Sequence, residues 1–351
     1  MTPLKIIHCG IFNEYDDGNF YYGLERKISH GLHQNGHFVY DFSYRDWERN
    51  LRTLKIKNSG LKKMNEKLVN ICQNIKADIL LFAKAEKISI STIEEIKKAL
   101  PNIKISMWYV DHLEENEDFF KKLNLIDVFF YANALNLKNL SSKYKAKFAF
   151  FPNISDPAFE QNLNMKKIDD IIYIARDKKE DNRHKFAIKL DEFCKNNKIN
   201  HKIYASLGNQ TIFGNSFIKA VNQAKIAINF NRDDELDSTK SNKLLGASDR
   251  MAQFIGCATC TFSPKIPGFE KFFEDGKDIV YFNDTNDCFE KIKLYLQNKN
   301  YSNIGKNGQI KAFEITNAKK VSKFMVELIC NENFSQTYEW REYIYQNGKN
   351  I

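Results

Sequence analysis

SDRMAQFIGC, at residues 248–257, leads directly into the apolar stretch TCTF of residues 259–262. Ser248 or Asp249 is a typical helix N-cap, which puts Arg250 in the first turn. The apolar residues that follow predict a short helix running into a strand. The N-terminus of a helix has unpaired N–H groups and a partial positive charge, and the guanidinium of an arginine adds further N–H donors. The stretch therefore predicts a binding site for an anion such as a diphosphate.

Strand-like and helical runs alternate along the rest of the chain. Strands are predicted at residues 4–10, 38–42, 79–83, 103–110, 128–132 and 147–151, and again at 168–174, 202–205, 226–230, 258–262 and 279–282. Alternation with short connections favours parallel sheets covered by helices on both faces. A polar link at residues 153–167, with Pro152 and Pro157 near its start, separates the two series. The pattern predicts an α/β protein with two Rossmann-like domains.

The composition is that of a globular protein, with 43% hydrophobic and 13% aromatic residues. The formal net charge is +9. This excess of positive charge indicates one of two things. It is either a solvated lysine-rich surface or a surface that attracts the phosphates of a nucleotide or of an anionic membrane. No dense Lys/Arg run and no aromatic RNA-binding signature is present, so a nucleic-acid partner is not expected.

Targeting and metal signals are absent from the sequence. No run of eighteen apolar residues occurs, and residues 1–10 form too short an apolar run for a signal peptide, so we expect a cytoplasmic protein. The seven cysteines are expected to be reduced core thiols. Cys257 and Cys260 spell C-x-x-C, but without a second pair or a nearby histidine they do not favour zinc or redox chemistry.

A second distinctive segment, PGFEKFFEDGKDIVYFND, follows the one at residues 248–257 and occupies residues 267–284. Together they resemble the C-terminal half of the group-1 glycosyltransferases, in particular the CgeB-like branch, over roughly residues 212–310. The resemblance implies the GT-B fold, in which two Rossmann-like domains face a central cleft. It implies an acceptor-binding domain at residues 1–155, a nucleotide-sugar-binding domain at residues 166–315, and a helix and tail at residues 316–351 that cross back to the first domain.

The final helix is predicted as one continuous element through Ile315, Ala318 and Ile329, with one apolar face. Four aromatic residues downstream of it could hold it in place: Phe334, Tyr338, Trp340 and Tyr343. No metal is expected, because GT-B enzymes neutralise the leaving diphosphate with helix dipoles and basic side chains. An Asp-x-Asp motif, typical of the metal-dependent alternative, is not found between the apolar strands.

Candidate donor-binding residues follow strands or open helices of the second half, where doubly wound sheets bind ligands. They are Arg176, Lys178, Gly214, Asn231, Arg232, Ser248, Asp249, Arg250 and Gln253. Gly214 serves either turn chemistry or a loop close to the base or ribose. Gln253 stands where many retaining group-1 enzymes have a glutamate that reaches the ribose. Glutamine can hydrogen-bond a ribose but cannot act as a base, which leaves retention or inversion open.

Candidate catalytic residues lie in two loops of the first half. Asp111 and His112 follow the strand at residues 103–110 and form either a base with its orienting partner or an N-cap with a surface histidine. Asp16 and Asp17 follow the first strand and are either the base or caps of a helix at residues 21–35. His8, inside the first strand, is expected to be a satisfied core residue.

The sequence thus predicts a cytoplasmic, metal-independent glycosyltransferase, peripheral at the inner membrane if the basic surface meets lipid. Its partners would be a nucleotide-sugar donor and a glycan or glycolipid acceptor of the cell surface, such as capsule or lipooligosaccharide. Two alternatives stay open on the same scaffold: a non-catalytic sugar- or nucleotide-binding protein, and an assembly protein. A sugar-nucleotide epimerase, which also has two Rossmann-like halves, is a third.

Overall fold

The computed structural model describes residues 2–111, 113, 117–231 and 234–351. The chain forms two compact units. Unit 1 combines Met1–Pro152 with Ala318–Ile351, and unit 2 is the continuous stretch Asn153–Asn317. His112 and Arg232, both predicted site residues, lie outside the described residues.

Unit 1 contains an eight-stranded sheet. Its strands are β1 (Lys5–Gly10), β2 (Phe38–Ser43), β3 (Ile79–Ala83), β4 (Lys104–Tyr109), β5 (Val128–Tyr131), β6 (Lys147–Phe150), β12 (Ile344–Gln346) and β13 (Lys349–Asn350). They lie in the order β13-β12-β6-β5-β4-β3-β1-β2. The first six pair in parallel, β12 runs antiparallel to β6, and β13 antiparallel to β12. Every residue of β3 is buried, as expected for a parallel strand covered on both faces.

The helices of unit 1 cover this sheet. They are α1 (Leu24–Gln34), α2 (Tyr44–Asn50), α3 (Leu61–Ile75), α4 (Ile90–Ala99), α5 (Glu117–Lys122), α6 (Leu137–Ser141) and α12 (Ala318–Cys330). Helix α12 packs closely on α1 at Gly31, where a Cβ atom would lie only 2.0 Å from the carbonyl oxygen of Ala318. Ser322 Oγ also donates to Ile28 O over 3.1 Å. Glycine at position 31 therefore permits the close approach of the two helices.

Unit 2 contains a five-stranded parallel sheet. Its strands are β7 (Asp169–Ile174), β8 (His201–Tyr204), β9 (Ala224–Ile228), β10 (Cys260–Pro264) and β11 (Val280–Phe282), in the order β11-β10-β9-β7-β8. Its helices are α7 (Asn182–Asn196), α8 (Gly214–Gln223), α9 (Asp249–Gly256), α10 (Thr285–Asn298) and α11 (Tyr301–Ile315). Because all five strands are parallel, their carboxyl ends share one edge, where the loops that precede α7, α8 and α9 begin.

The α/β class with two Rossmann-like domains is confirmed, and every predicted strand is present. One helix prediction is wrong. Ile315 ends α11, whereas Ala318 begins α12. Thr316 is the C-cap of α11, and its N–H makes the last backbone hydrogen bond, to Ala312 O over 2.8 Å. The Thr316 hydroxyl donates to the same carbonyl over 3.0 Å, and the Asn317 side chain donates to Phe313 O over 2.8 Å, so side chains satisfy carbonyls at the helix end.

The aromatic tail of unit 1 packs on α12. Phe324 of that helix contacts the rings of Phe334, Tyr338 and Trp340 at centroid distances of 5.4, 5.1 and 5.5 Å. Tyr343 contacts Phe150 of β6. Within the described ranges, no helix is both long enough and apolar enough to cross a membrane.

Candidate functional site

The candidate donor site begins at the N-terminus of α9. Ser248 is the N-cap, since its Oγ accepts the N–H of Met251 over 3.2 Å and donates to Asn229 Oδ1 over 2.8 Å. Asp249, the other cap candidate, is instead the first helical residue. Its Oδ2 accepts from Nε2 of Gln253 over 2.7 Å. Hydrogen bonds therefore hold the first turn of α9 both internally and against the end of β9.

Arg250 points its guanidinium at the carboxyl end of β9. Nη2 donates to Phe230 O over 2.8 Å and to Asn229 Oδ1 over 3.3 Å. Nε is buried without a hydrogen-bond partner. Among the described residues, no carboxylate forms an ion pair with it. Burial, and then the charge of Arg183, lowers the pKa of Arg250 to about 10, so the group stays charged at neutral pH.

Arg183, in the first turn of α7, shares the Phe230 carbonyl with Arg250. Its Nε donates to Phe230 O over 3.2 Å, and its Nη1 donates to Arg176 O over 2.9 Å. Two guanidinium groups thus meet at one carbonyl, and Arg183 links the loop after β7 to the loop after β9. Sequence reasoning missed this residue and treated it as a helix start. Its place one residue into a helix that follows a strand is the same signal that singled out Arg250.

The loop after β7 is held in place by acidic side chains. Asp177 accepts from Nδ1 of His184 over 2.9 Å and from the hydroxyl of Ser206. Burial raises the pKa of Asp177, but these hydrogen bonds outweigh burial and the pKa is lowered overall. The side chains of Arg176 and Lys178, on either side of Asp177, are exposed. The loop therefore presents two cations from a fixed backbone.

The structure brings some predicted donor residues together and not others. Ser248, Asp249, Arg250 and Gln253 share the start of α9, and Asn231 follows Phe230, which Arg250 and Arg183 both contact. Asn231 is buried, and its Oδ1 has no hydrogen-bond partner within the described ranges. Gly214 opens α8 with φ 57°, which agrees with the turn interpretation. No hydrogen bond connects Gly214 or the Lys178 side chain to the arginine pair in the described structure.

The candidate catalytic residues of unit 1 lie at the carboxyl ends of β4 and β1. Asp111 is exposed and paired with Lys84. Asp16 lies in a single 3₁₀ turn, and Asp17 follows it with a left-handed φ of 48°. Because α1 begins after Gly23, neither aspartate caps it, and that interpretation is wrong. Both carboxylates are exposed.

His8 is a fully buried core residue, as predicted. Nδ1 donates to Ser29 Oγ over 2.8 Å, and Nε2 accepts from the indole Nε1 of Trp108 over 3.0 Å. Ser29 Oγ in turn donates to Asp41 Oδ1 over 2.6 Å. Burial, and then the charge of Arg26, lowers the pKa of His8 to about 3, so the ring is neutral and serves the packing of unit 1.

A cavity of about 270 Å³ lies beside Asp111 in unit 1. Its lining combines two aromatic rings with paired charges: Arg45, Lys84, Glu86, Tyr109, Leu113, Asp118, Phe119 and Lys122. The ring centroids of Tyr109 and Phe119 are 5.2 Å apart. This cavity was not predicted from the sequence, because its residues come from four separate stretches of the chain.

Each cation of this cavity has a carboxylate partner. Arg45 Nε donates to Glu86 over 2.7 Å, Lys122 Nζ to Asp118 over 2.6 Å, and Lys84 pairs with Asp111. Burial raises the pKa of Glu86, but hydrogen bonds from Tyr44 and Arg45 outweigh it and lower the pKa overall. The lining is therefore polar but close to neutral.

No group of three or more His, Cys, Asp or Glu residues in the described structure could hold a metal ion. Cys257 and Cys260 are free and buried. Burial raises the pKa of the Cys260 thiol well above its ordinary value, which disfavours the thiolate needed for metal or redox chemistry.

Residues 183–325 match the family model described as glycosyl transferase-like. This segment contains Arg183 and all of the α9 site. No curated protein matches the sequence.

Several solved structures share the fold over nearly the whole chain. A glycosyltransferase from Rickettsia africae is 12% identical with a TM-score of 0.59, over 94% of this chain and 99% of that one. Sucrose-phosphate synthase from Thermosynechococcus elongatus is 10% identical with a TM-score of 0.58, over 93% and 98%. Anabaena HepE in complex with UDP and glucose is 8% identical with a TM-score of 0.57, over 93% and 100%.

These likenesses identify the fold as GT-B, with its two Rossmann-like domains. The family match adds the enzyme class for the segment that holds the arginine pair. The match of residues 183–325 to the glycosyl transferase-like model supports the predicted class of enzyme, a glycosyltransferase. The solved structures show the GT-B fold.

Proposed function

We propose that the protein transfers a sugar from a nucleotide-sugar donor to a cell-surface glycan or glycolipid, such as capsule or lipooligosaccharide, without a metal ion. The observation that carries this proposal is Arg250, a charged guanidinium with a buried, unpartnered Nε and no carboxylate partner in the described structure. An unpaired buried donor on a charged group is costly, so an anionic ligand is expected there. The resemblance to the CgeB-like branch supports the same assignment.

The proposed donor site lies in unit 2. The diphosphate would bind Arg250 and the start of α9, where the helix dipole favours negative charge. Arg183, Arg176 and Lys178 would add positive charge from the neighbouring loop, and Gln253 would lie near the ribose. Arg232 keeps its predicted auxiliary role. The Anabaena HepE structure is a complex with UDP and glucose, which supports a nucleoside diphosphate sugar as the class of donor.

The chemical step exchanges one bond at the anomeric carbon for another and transfers one proton. An acceptor hydroxyl oxygen bonds to the anomeric carbon, the bond from that carbon to the diphosphate oxygen breaks, and the electron pair leaves with the diphosphate. A base takes the hydroxyl proton, for which Asp111, His112, Asp16 and Asp17 are the candidates. Arg250 would stabilise the charge that develops on the leaving diphosphate. Electrostatic stabilisation of this kind usually contributes most to lowering the activation barrier. Basic side chains would thus neutralise the leaving diphosphate in place of a metal ion.

We assign the acceptor to the cavity beside Asp111 in unit 1. Aromatic rings such as Tyr109 and Phe119 offer apolar faces to a sugar ring. The paired charges around them offer both donors and acceptors of hydrogen bonds without a net charge. This chemistry fits a neutral, hydroxyl-rich acceptor. We further propose a cytoplasmic protein in peripheral contact with the inner membrane, supported by the excess of basic residues.

The experiment is a thermal-shift screen against UDP, GDP, CMP, ADP and their common sugars, each with EDTA or with Mg²⁺. A ligand at a hundred times its Kd adds about 2.7 kcal/mol to the free energy of unfolding. We expect one nucleoside diphosphate to raise Tm equally with and without chelator, and the Arg250→Ala variant to lose the shift. Lys189→Ala, an exposed position on α7, is the matched control.

The outcomes separate the alternative functions. A shift that requires Mg²⁺ would contradict metal independence. Binding without sugar transfer or donor hydrolysis would favour the non-catalytic binding protein, and conversion of the donor without an acceptor would favour an epimerase. No shift with any nucleotide in the folded protein would favour the assembly protein.

A further inference from the structure

The loop between α2 and α3 exposes two large apolar side chains. Leu54 is 87% exposed and Ile56 is 59% exposed, more than any other large hydrophobic residue described. We use the name Leu54 loop for residues 52–63, which are the loop together with the first turn of α3. Leu54 and Ile56 therefore present two large apolar side chains, two residues apart, from one loop.

The loop is a fixed structure and does not expose these side chains by fraying. The hydroxyl of Ser59 donates to Ile56 O over 2.6 Å and accepts the N–H of Thr53 over 2.9 Å. Gly60 packs so closely on α2 that a Cβ atom would lie 2.1 Å from Glu48 O. Arg52 Nε and Nη2 donate to the two oxygens of Glu48 over 2.9 and 2.7 Å.

The backbone of the loop also holds Leu54 in an unusual conformation. Leu54 and Lys55 have φ values of 50° and 59°, in the left-handed region that residues other than glycine rarely adopt. Such strain persists where the surrounding structure enforces it, and it is concentrated at functional positions. Here it turns Leu54 away from the protein.

The Leu54 loop is uniformly basic. Residues 52–63 contain five basic residues, Arg52, Lys55, Lys57, Lys62 and Lys63, and no acidic residue. The four lysines are exposed. Lys62 approaches Glu66 at 3.9 Å, and the other three lysines form no ion pair within the described structure. Apolar tips among exposed lysines, three of which form no ion pair in the described structure, match the two components of an anionic bilayer surface, the acyl boundary and the phosphate layer.

We propose that the Leu54 loop docks on an anionic lipid surface, with Leu54 and Ile56 inserted below the head groups and the lysines on lipid phosphates. The loop gives a location to the proposed membrane contact, and the docking itself does not depend on the glycosyltransferase activity.

A polar groove leads from this loop toward the acceptor cavity. The groove has a volume of about 720 Å³; Asn58, Leu61 and Lys62 line it beside the loop, and it shares Glu86 and Asp118 with the cavity. A lipid-linked acceptor could therefore keep its lipid in the bilayer while its head group follows the groove. This second step rests on the proposed function.

The test is flotation of the full-length protein with vesicles of phosphatidylcholine alone or mixed with phosphatidylglycerol. We expect binding to the anionic vesicles only, weakened by salt. Leu54→Asp with Ile56→Asp should reduce the bound fraction at least about tenfold, and so should Lys55→Glu with Lys57→Glu. The matched control is Leu294→Asp with Ile310→Asp, two apolar residues of unit 2 that are 53% and 57% exposed.

Undiminished flotation of the Leu54 loop variants would overturn the proposal, as would equal binding of the wild type to both vesicles or to neither. Self-association in the absence of vesicles, abolished by the same variants, would assign the loop to a second copy of the chain and also overturn it. The nucleotide shift in Tm should be the same in the loop variants as in the wild type. A failed flotation with an intact nucleotide shift would therefore contradict the membrane contact and leave the proposed sugar transfer standing.

Discussion

The cavity of unit 1 and the arginine site of unit 2 differ in how their cations are paired. In the cavity of unit 1, Arg45, Lys84 and Lys122 each have a carboxylate partner. In unit 2, Arg250 donates to a carbonyl and an amide oxygen, and it has no carboxylate partner among the described residues. A cation already paired has little to gain from an anionic ligand, whereas an unpaired and partly desolvated cation has much to gain. Unit 2 is therefore suited to a diphosphate and unit 1 to a neutral sugar.

The largest effect is expected where the cation is unpaired. Arg250→Ala should lower kcat/KM for sugar transfer by about 10² or more, because it removes a donor that stabilises the leaving diphosphate. Steady-state kinetics at saturating acceptor measure the loss. Arg250→Lys keeps the charge but loses the fork geometry, so it should recover only part of the rate.

A folded Arg250→Ala variant with the rate of the wild type would remove this residue from the site. Full recovery by Arg250→Lys would reduce its role to that of a point charge. Circular dichroism and the wild-type melting profile are the controls for folding.

A smaller effect is expected in the neutral cavity. Phe119→Ala should raise KM for the acceptor about tenfold by removing an apolar face, and leave nucleotide affinity unchanged. Phe38→Ala is the control, because this ring is 51% exposed at the start of β2 in the same unit and does not line the cavity. A change in nucleotide affinity in Phe119→Ala, or equal effects of the two variants, would contradict the division of ligands between the units.

The last comparison concerns stability and not catalysis, and it distinguishes the units by pH. His8 has a pKa of about 3 in the folded protein and 6.5 ordinarily, so the unfolded chain binds the extra proton. Unit 1 should lose stability as the pH falls from about 6.5 to about 3, and His8→Gln should flatten this dependence. The three tryptophans, Trp47, Trp108 and Trp340, all lie in unit 1, so their fluorescence during urea unfolding reports on it. An unchanged slope in His8→Gln would show that other groups titrate.

The sequence predicted regular elements better than their assembly. Alternating apolar runs located every strand that they predicted, because burial on both faces leaves an apolar signature. The break between Ile315 and Ala318 was missed, since the apolar period continues across Thr316 and Asn317, whose side chains satisfy carbonyls at the helix end. The strands β12 and β13 are too short to leave a pattern.

The candidate site was predictable only where one local signal sufficed. Ser248 and Arg250 share a helix start, which the sequence displays directly. Arg183 needed knowledge that the ends of β7 and β9 are neighbours, a consequence of strand order. The cavity in unit 1 joins residues from Arg45 to Lys122, and only the fold brings these together.

Unit 1 is assembled from both ends of the chain, and this has a consequence for synthesis on the ribosome. Unit 2 is one uninterrupted stretch and can close as soon as it has left the exit tunnel. The first half of unit 1 emerges earlier, yet α1 lacks α12 and β6 lacks β12 until residues 318–346 have been translated. During that interval the apolar flank of α1 and an unpaired sheet edge are open to wrong partners. The nascent chain is thus expected to need chaperone protection at the end that is made first.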